Sequence, residues 1–280
     1  MTIYWTETQR ARLKALNAAA AELERGFKSC VERDRFFQRR ERQITRAHRT
    51  RLENLRHGKR RPQLCLLAEQ LAAVLTEKGF VQVTTPIIMS KNLIRKMSID
   101  ENHALNQQIF WLDAKRCLRP MLAPHLYFVL KDLLRLWEPP VSIFEIGPCF
   151  RKESQGARHA NEFTMLNLVE MGLAEDRRME RLAALAQVVM ETAGIPAFRL
   201  AAEGSDVYGE TRDVLAGEPE IEVGSGAMGP HFLDQAWKIN QTWVGIGFGL
   251  ERLLMVAGGH PNLASVGRSL SYLDGIKLKI

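Results

Sequence analysis

The chain has 280 residues, 46% of them hydrophobic and 25% charged, and a formal net charge of +7. This is the composition of an ordinary soluble globular protein that is long enough to bury a sizeable core. No apolar run approaches the length of a membrane span, and the first twenty residues mix charged with apolar side chains, so we expect neither a membrane protein nor a secreted one but a cytoplasmic protein.

The cysteines give no sign of a metal site. Cys30, Cys65, Cys117 and Cys149 lie far apart and show no Cys-x-x-Cys spacing. We therefore expect four buried thiols rather than a zinc site or disulfides.

The N-terminal quarter of the chain is helical and basic. Residues 5 to 57 contain few helix breakers apart from Gly26, and residues 57 to 62 (HGKRRP) are typical of a linker, so we predict a helical N-terminal region over 1–61 and a second domain over 62–280. Residues 33 to 61 hold twelve Lys or Arg and three acids.

Five of these arginines recur at spacings of three or four, which places them on one face of a helix: Arg35, Arg39, Arg42, Arg46 and Arg49. A charge run of this kind is usually a solvated face. The shortage of acids here favours a polyanion, and the stripe could follow a phosphate backbone.

The next elements alternate between helix and strand. Residues 63 to 78 carry leucines and alanines at helical spacing, and Gly79 ends the helix. The β-branched stretch FVQVTTPIIMS predicts one strand kinked at Pro86, at a sheet edge and suited to a dimer surface. Residues 118 to 137 predict a loop that leads into a helix, with Pro124 in its first turn.

The remainder is rich in strands. VSIFEIG, CFRKE and EFTMLNLVEM predict strands, followed by a helix over 176–193, short strands near 196–203 and 219–228, the strand WVGIGFG and a final helix LERLLMV. Because strands mostly follow one another without an intervening helix, we predict an α+β fold with a largely antiparallel sheet.

Strand alternation brings several polar and aromatic side chains to shared faces. Arg151 and Glu153 share one face of CFRKE, and Phe163 and Asn167 share one face of EFTMLNLVEM. In WVGIGFG the glycines at every second position leave one face without side chains: Gly245, Gly247 and Gly249. Such faces could hold a base and a phosphate, although Phe163 could equally be core and Arg151 could simply pair with Glu153. The glycine spacing fits neither G-x-G-x-x-G nor a P-loop.

Three stretches in order resemble the motifs of class II aminoacyl-tRNA synthetases: GFVQVTTP, FRKESQGARHANEF and GFGLER. LRPMLAP, IFEIGPCFRKES, VYGET and WVGIGFGLERLL are most similar to the pyrrolysyl-tRNA synthetases, from about residue 5 to the C-terminus. The resemblance implies a class II antiparallel sheet flanked by helices. It also implies a homodimer that ligates pyrrolysine to tRNA(Pyl) with ATP and Mg²⁺, with a separate small tRNA-binding protein as a possible partner.

The resemblance also implies roles in nucleotide binding. Arg151 would contact the α-phosphate and the amino-acid carboxylate, and Glu153 the adenine amine. Phe163 and Arg252 would cover the two faces of the adenine, with Arg252 reaching the γ-phosphate, while His159 would contact the phosphate tail and Gly249 would belong to the nucleotide floor. Glu222 and Ser225 match magnesium-binding positions. Arg151 and Arg252 would be the catalytic pair, since attack by a carboxylate needs neutralised charge and no general base.

The amino-acid pocket implied by the resemblance is apolar, with one amide and one phenol: Ala123, Leu126, Tyr127, Leu130, Asn167, Val169, Tyr208, Ala227, Trp243 and Gly245. It holds no acid for an ammonium group, so an acylated lysine suits it better than free lysine. Two positions depart from the pattern, His125 beside this pocket and Ala160 beside the nucleotide loop.

Other functions stay open. The chain could be a class II synthetase-like enzyme for another bulky amino acid, or a non-catalytic RNA-binding paralogue that retains the fold. A ligase that transfers an acyl group to a protein is a third possibility.

Overall fold

A mixed sheet organises the structure, a computed structural model that describes residues 2–58, 60–152, 160–260 and 262–279. Within these residues seven strands pair in the order β1, β4, β5, β9, β8, β7, β6. The strands are β1 (Val81–Gln82), β4 (Val141–Phe150), β5 (Glu162–Met171), β6 (Phe198–Ser205), β7 (Gly209–Ala216), β8 (Ile221–Gly229) and β9 (Trp243–Gly249). Only β1 and β4 run parallel. The predicted α+β class with a largely antiparallel sheet is confirmed.

Three helices cover one face of this sheet and leave the other for a site. They are α4 (Gln63–Glu77), α8 (Arg178–Thr192) and α10 (Leu250–Ala257). All three were predicted as helices, and the apolar stripe of α4 was expected from its helical spacing. Leu71 and Leu75 of α4 and Val189 of α8 are fully buried against the strands. Full burial of one such side chain stabilises the fold by about 2 kcal/mol.

Smaller elements surround the opposite face. Helix α7 (Ala123–Leu133) packs on β4, and Pro124 lies in its first turn as predicted. The others on this side are β2 (Ile88–Ser90), α5 (Lys91–Arg95), α6 (Ala104–Gln107), β3 (Arg116–Leu118) and α9 (Asp234–Trp237). The hairpin of β10 (Tyr272–Leu273) and β11 (Ile276–Lys277) packs elsewhere, against the N-terminal region.

The N-terminal region forms three helices rather than one continuous run with a break at Gly26. They are α1 (Glu7–Ala15), α2 (Ala20–Leu23) and α3 (Cys30–His57). Thr6 closes a capping box with Gln9 at the start of α1, and Ser29 caps α3. An extra interruption comes from Asn17, whose φ of 58° ends the first helix.

These helices are tied to the far end of the chain. The Tyr272 hydroxyl donates to the carbonyl of Ala15 at 3.0 Å, and the Asn17 side-chain amide donates to the carbonyl of Gly275 at 3.0 Å. The backbone N–H of Gln63, where α4 begins, donates to the Asp274 carboxylate at 2.8 Å. The hairpin of β10 and β11 therefore fixes the N-terminal helices against the sheet domain.

Two strand predictions were wrong. FVQVTTPIIMS is two strands in different sheets: β1 ends at Gln82 and pairs with β4, whereas β2 begins at Ile88 and pairs with β3. Pro86, which has no N–H to donate to a ladder, lies in the connection between them. VSIFEIG and CFRKE are a single strand that passes through Pro148 and ends at Phe150, so Arg151 lies just beyond it.

Two further features differ from the sequence-based expectation. Strand β7 was not predicted, since GETRDVLA is largely polar and only Thr211, Val214 and Ala216 of it are buried. Cys30 and Cys65 are exposed, whereas Cys117 and Cys149 are buried thiols as expected. No helix in the described residues combines the length and apolar character needed to cross a bilayer.

Candidate functional site

A cavity of about 350 Å³ lies on the open face of the sheet, beneath α7. Strand β9 forms its floor with three glycines that all line it, Gly245, Gly247 and Gly249. A Cβ atom at Gly247 would lie 3.0 Å from the Asn167 side-chain nitrogen, and one at Gly245 would lie 3.3 Å from the Trp243 ring. The bare strand predicted from the sequence therefore keeps the cavity open and lets Asn167 and Trp243 approach the backbone closely.

One end of the cavity, termed here the nucleotide end, carries two arginines and a phenylalanine. The Arg151 guanidinium lies 5.4 Å from the centre of the Phe163 ring, and its Nε donates to the carbonyl of Pro120 at 2.9 Å. Arg252, on the first turn of α10, donates to the carbonyl of Glu222 at 3.0 Å. Its guanidinium lies 3.3 Å from the Glu222 carboxylate. Two positive groups and an aromatic face thus meet where Gly249 ends the floor.

Two residues assigned to nucleotide binding, Glu153 and His159, lie outside the described residues. Ala160, the departure noted beside them, lines the cavity.

A β-bulge in β8 brings the two candidate magnesium ligands to one face. Leu215 pairs with Glu222 and Val214 pairs with Gly224, so Val223 is an extra residue without a partner on β7. In a regular strand Glu222 and Ser225 would point to opposite faces, but one extra residue between them reverses the alternation. Both side chains line the cavity.

The residues near this bulge offer hard oxygen atoms. The Ser225 hydroxyl donates to the Asp213 carboxylate at 2.6 Å, which leaves its oxygen lone pairs available. Glu222 is partly exposed, at 46% for its side chain. Mg²⁺ commonly takes one or two carboxylates and completes its shell with water and phosphate oxygens, so this small set fits it. No cluster of three or more His, Cys, Asp or Glu suited to a metal occurs among the described residues.

The other end, termed here the amino-acid end, is mainly apolar. All ten residues predicted for the amino-acid pocket line it: Ala123, Leu126, Tyr127, Leu130, Asn167, Val169, Tyr208, Ala227, Trp243 and Gly245. The Tyr127 ring stacks on Trp237 at 5.3 Å and meets Trp243 edge-on at 5.6 Å. This packing fixes the aromatic wall in one arrangement.

Two phenols belong to this wall, with Tyr127 buried and Tyr208 partly buried. Burial, with the neighbouring phenol and Asp234 adding to it, raises the pKa of Tyr127 well above its usual value, and burial likewise raises the pKa of Tyr208. Both phenols are therefore neutral at physiological pH and can donate a hydrogen bond. The Tyr127 hydroxyl is buried and interacts with the Tyr208 phenol, but among the described residues it makes no hydrogen bond of good geometry, so a polar atom of a ligand could satisfy it.

His125 does not border the pocket as expected. Its ring Nδ1 lies 3.2 Å from the Thr85 hydroxyl, on the side of α7 that faces β4, and it is absent from the described cavity lining. Burial lowers the pKa of His125, and the nearby Arg119 guanidinium lowers it further. The residue belongs to a buried polar cluster beneath the site.

This cluster is built around the ion pair of Arg119 and Glu145, whose N and O atoms lie 2.7 Å apart with both side chains 2% exposed. Arg119 Nε also donates to the carbonyl of Pro148 at 2.7 Å, and a Cβ atom at Gly147 would lie 2.2 Å from the guanidinium. The next residue along, Pro120, is the one whose carbonyl holds Arg151. The cluster therefore supports the segment that orients Arg151.

Arg119→Ala is expected to lower the free energy of unfolding by about 3–5 kcal/mol, because it leaves the Glu145 carboxylate buried without its partner. Urea unfolding followed by circular dichroism would measure the loss. Arg116→Ala is the control, since Arg116 pairs with Asp113 at the surface, and its unfolding midpoint should not move. Equal midpoints for the two variants would contradict a structural role for the cluster.

Sequence reasoning missed several residues of the cavity. The one of most chemical interest is Glu251, which is 2% exposed and accepts from the Thr164 N–H at 2.9 Å. Asp213, behind the lining, was also missed and accepts from the Ser225 hydroxyl. Burial raises the pKa of Glu251. Others in the lining are Leu105, Met121, Leu122, Met165, Ser205, Val207, Thr211 and Leu263. Alternation with Phe163 and Asn167 could have identified Met165, whereas nothing local to the sequence marks Leu105 or Leu263.

The arginine stripe lies away from this cavity, along the exposed side of α3. Arg35, Arg39, Arg42 and Arg46 line a groove of about 380 Å³ together with Gln38 and Gln43, and Arg49 is exposed further along the helix. Two acids of the N-terminal region form ion pairs with arginines that do not belong to the stripe, Glu22 with Arg40 and Glu41 with Arg12. Among the described residues none of the five stripe arginines has an ion pair, and all five are exposed, although the Arg39 guanidinium lies 5.1 Å from the centre of the Phe36 ring.

Comparison with known proteins gives the site a context. A family model described as the tRNA synthetases class II core domain (F) matches residues 48–272. A crystal structure of pyrrolysyl-tRNA synthetase from Desulfitobacterium hafniense is 54% identical, with a TM-score of 0.95 over 100% of both chains. A second structure of a pyrrolysyl tRNA synthetase from that organism is 53% identical, with a TM-score of 0.91 over 99% of this chain and 96% of the other.

A more distant relative is the O-phosphoserine--tRNA(Cys) ligase of Methanopyrus kandleri, which is 24% identical over 181 residues. That match covers 58% of this chain and 32% of the relative, so the chain spans about a third of the length of this curated protein.

Proposed function

The chain belongs to the class II aminoacyl-tRNA synthetases and, among them, to the pyrrolysyl-tRNA synthetases, and from that premise we propose that it activates pyrrolysine with ATP and ligates it to tRNA(Pyl). The enzyme is a ligase, and ATP is its co-substrate. The proposal rests on one observation: the two ends of one continuous cavity suit an adenylate and a long, uncharged side chain.

Activation joins the two ends of the cavity. A carboxylate oxygen of the amino acid attacks the α-phosphorus of ATP, a new O–P bond forms, and pyrophosphate leaves with the electron pair of the broken P–O bond. The carboxylate is already ionised, so no general base is required. The residues supply positioning and positive charge, Arg151 at the α-phosphate and Arg252 toward the γ-phosphate, in a site that Phe163 shields on one side.

Mg²⁺ would be held by Glu222 and Ser225, on the face of β8 that the bulge at Val223 creates. When bound, the ion would offset negative charge on the phosphate oxygens. Glu222 contacts Arg252 through both its backbone carbonyl and its carboxylate, so the proposed magnesium ligand lies beside the arginine that would reach the γ-phosphate.

Selection of the amino acid follows from the lining of the amino-acid end. The two carboxylates in the described lining, Glu222 and Glu251, lie at the nucleotide end, so a free lysine ammonium would be buried there without a partner. An acylated lysine is neutral, its methylenes suit Leu126 and Leu130, and its amide can pair with Asn167. Phenylalanine would leave Asn167 facing a ring without a hydrogen bond.

Transfer to tRNA uses a second surface. In this step a terminal ribose hydroxyl of the tRNA attacks the carbonyl carbon of the adenylate and AMP leaves. We propose that region 1–61 docks the tRNA through the stripe on α3 and that residues 62–280 form the catalytic domain. The exposed charge of Arg39, Arg42 and Arg46 supports this division.

The remaining sequence-based expectations are also proposals. A homodimer is supported by apolar side chains exposed around the sheet edge and on α7, namely Val81, Ile87, Ile88 and Phe128. A cytoplasmic location and a separate small tRNA-binding protein complete the proposal.

ATP-pyrophosphate exchange tests the activity. Exchange above background is expected with pyrrolysine, or with a close Nε-acyl-lysine, and none with lysine or phenylalanine. Exchange with phenylalanine alone would favour an enzyme for another bulky amino acid, and background exchange with all four would favour the non-catalytic RNA-binding paralogue.

A further inference from the structure

A short segment between β8 and α9 contacts both walls of the amino-acid end. In this segment the Nε2 atom of the His231 ring lies 2.5 Å from the backbone carbonyl oxygen of Tyr208. A carbonyl oxygen only accepts, so Nε2 carries the proton and donates. The other ring nitrogen, Nδ1, accepts from the backbone N–H of Leu233 at 3.3 Å. Both ring nitrogens are therefore used, and they fix one tautomer and one ring orientation.

Tyr208 lies at the tip of the hairpin of β6 and β7, at the free edge of the sheet. Within the tip, the Ser205 hydroxyl accepts from the backbone N–H groups of Val207 and Tyr208, and these bonds are local. The tip residues Gly204, Asp206 and Gly209 are exposed. The Val207 side chain is buried beside the amino-acid end, and Tyr208 packs against the same cluster. Since exposed residues at a sheet edge open readily, the hydrogen bond from His231 is a polar contact from outside the hairpin that fixes the Tyr208 backbone.

The segment is anchored on its other side to the cavity wall. The Asp234 carboxylate accepts from the backbone N–H of His231 at 2.7 Å and from the Trp243 indole N–H at 3.0 Å. A Cβ atom at Gly229 would lie 1.8 Å from the Trp243 indole nitrogen, so the wall and the start of the segment are closely packed. His231 is thus positioned by Asp234 on the Trp243 side of the cavity, and it in turn positions Tyr208 on the opposite side.

We propose that His231 is a positioning residue for the amino acid. It fixes the Tyr208 hairpin over the amino-acid end and makes that end binding-competent, without touching the substrate or the reacting atoms. The inference rests on the proposed function, in that the ligand it serves is the side chain of the activated amino acid. Its expected signature is a change in amino-acid affinity that leaves ATP affinity unaffected, since the hairpin tip covers only one end of the cavity.

Hydrogen-deuterium exchange of the free protein tests the contact without any substrate. In His231→Ala, amides of residues 203–210 should exchange about fivefold faster than in the wild type, as expected for the loss of one hydrogen bond. Gln235→Ala is the matched control, because Gln235 is exposed in the following helix, and its exchange pattern should equal that of the wild type. Unchanged exchange at 203–210 in His231→Ala would overturn the proposal.

Kinetics of ATP-pyrophosphate exchange with an Nε-acyl-lysine then test the role. His231→Ala should raise the KM for the amino acid about fivefold and leave the KM for ATP and kcat within about twofold. His231→Gln should recover most of the loss, because its amide N–H₂ can donate to the same carbonyl. Equal rises in both KM values, or no recovery by glutamine, would overturn the proposal. Should the wild type itself give no exchange, the proposed function fails, and the exchange of amides 203–210 still decides whether His231 holds the hairpin.

Discussion

Arg252→Ala is expected to lower ATP-pyrophosphate exchange by at least about 100-fold, the loss typical of removing a group that stabilises transition-state charge. Arg252 begins α10 at the end of the glycine floor, and its guanidinium is held by the carbonyl and carboxylate of Glu222. Alanine removes the positive charge without disturbing the exposed stripe on α3. Affinity for tRNA(Pyl), measured by filter binding, should therefore stay within about twofold, because that affinity comes chiefly from phosphate contacts.

Two further variants sharpen the result. Arg252→Lys keeps the charge but loses the planar guanidinium, so activity between that of the wild type and that of alanine would show that stacking contributes as well as charge. Arg199→Ala is the control, since Arg199 pairs with Glu220 on the exposed edge strand β6. Exchange by Arg252→Ala equal to that of Arg199→Ala would refute the assignment of Arg252.

Simultaneous replacement of Arg39, Arg42 and Arg46 by Glu is expected to weaken tRNA affinity by about 100-fold or more at low salt. The three side chains are exposed along one groove. Three phosphate contacts contribute about 2–3 to the slope of log affinity against log salt concentration, and the variant should lose this contribution. Exchange with ATP and the amino acid should be unaffected, because the stripe does not line the catalytic cavity.

The matched control reverses the same amount of charge elsewhere. Arg116, Arg177 and Arg199 are exposed and ion-paired on the sheet domain, so their joint replacement by Glu tests whether net charge alone matters. Comparable losses in the two triple variants would mean that the stripe is not a specific docking surface. No loss in the stripe variant would favour the ligase that transfers an acyl group to a protein.

Much of the fold could be predicted from the sequence because its periodicities are regular. The leucine spacing of α4 identified its buried face, and the alternation in β5 identified the face with Phe163 and Asn167 that lines the cavity. Glycine at every second position of β9 identified the floor. These signals are local, since each depends on neighbours within one element.

The rest depended on pairing between distant segments. The bulge at Val223 is visible only in the register of β8 against β7. No local pattern in the sequence predicts that Glu222 and Ser225 share a face, and only the family resemblance assigned both of them to magnesium. VSIFEIG and CFRKE were predicted as separate strands, yet the pairing with β5 runs without a break through Pro148, opposite Thr164, and the Pro148 carbonyl accepts from Arg119. His125 was placed beside the pocket by its position in a motif, whereas burial against Thr85 turns it away.

The attachment of the N-terminal helices to the β10–β11 hairpin bears on how the protein is made. The hydrogen bonds from Tyr272 to Ala15 and from Asn17 to Gly275 join positions 257 and 258 residues apart. Helix α3, which carries the arginine stripe, is also bound to this hairpin, since Arg51 donates to the carbonyl of Asp274, 223 residues further along the chain. On a ribosome this helix is therefore synthesised well before its docking partner. Contacts of such high sequence separation form late in folding, so the nascent chain has to carry an undocked, strongly basic helix while the sheet domain is assembled.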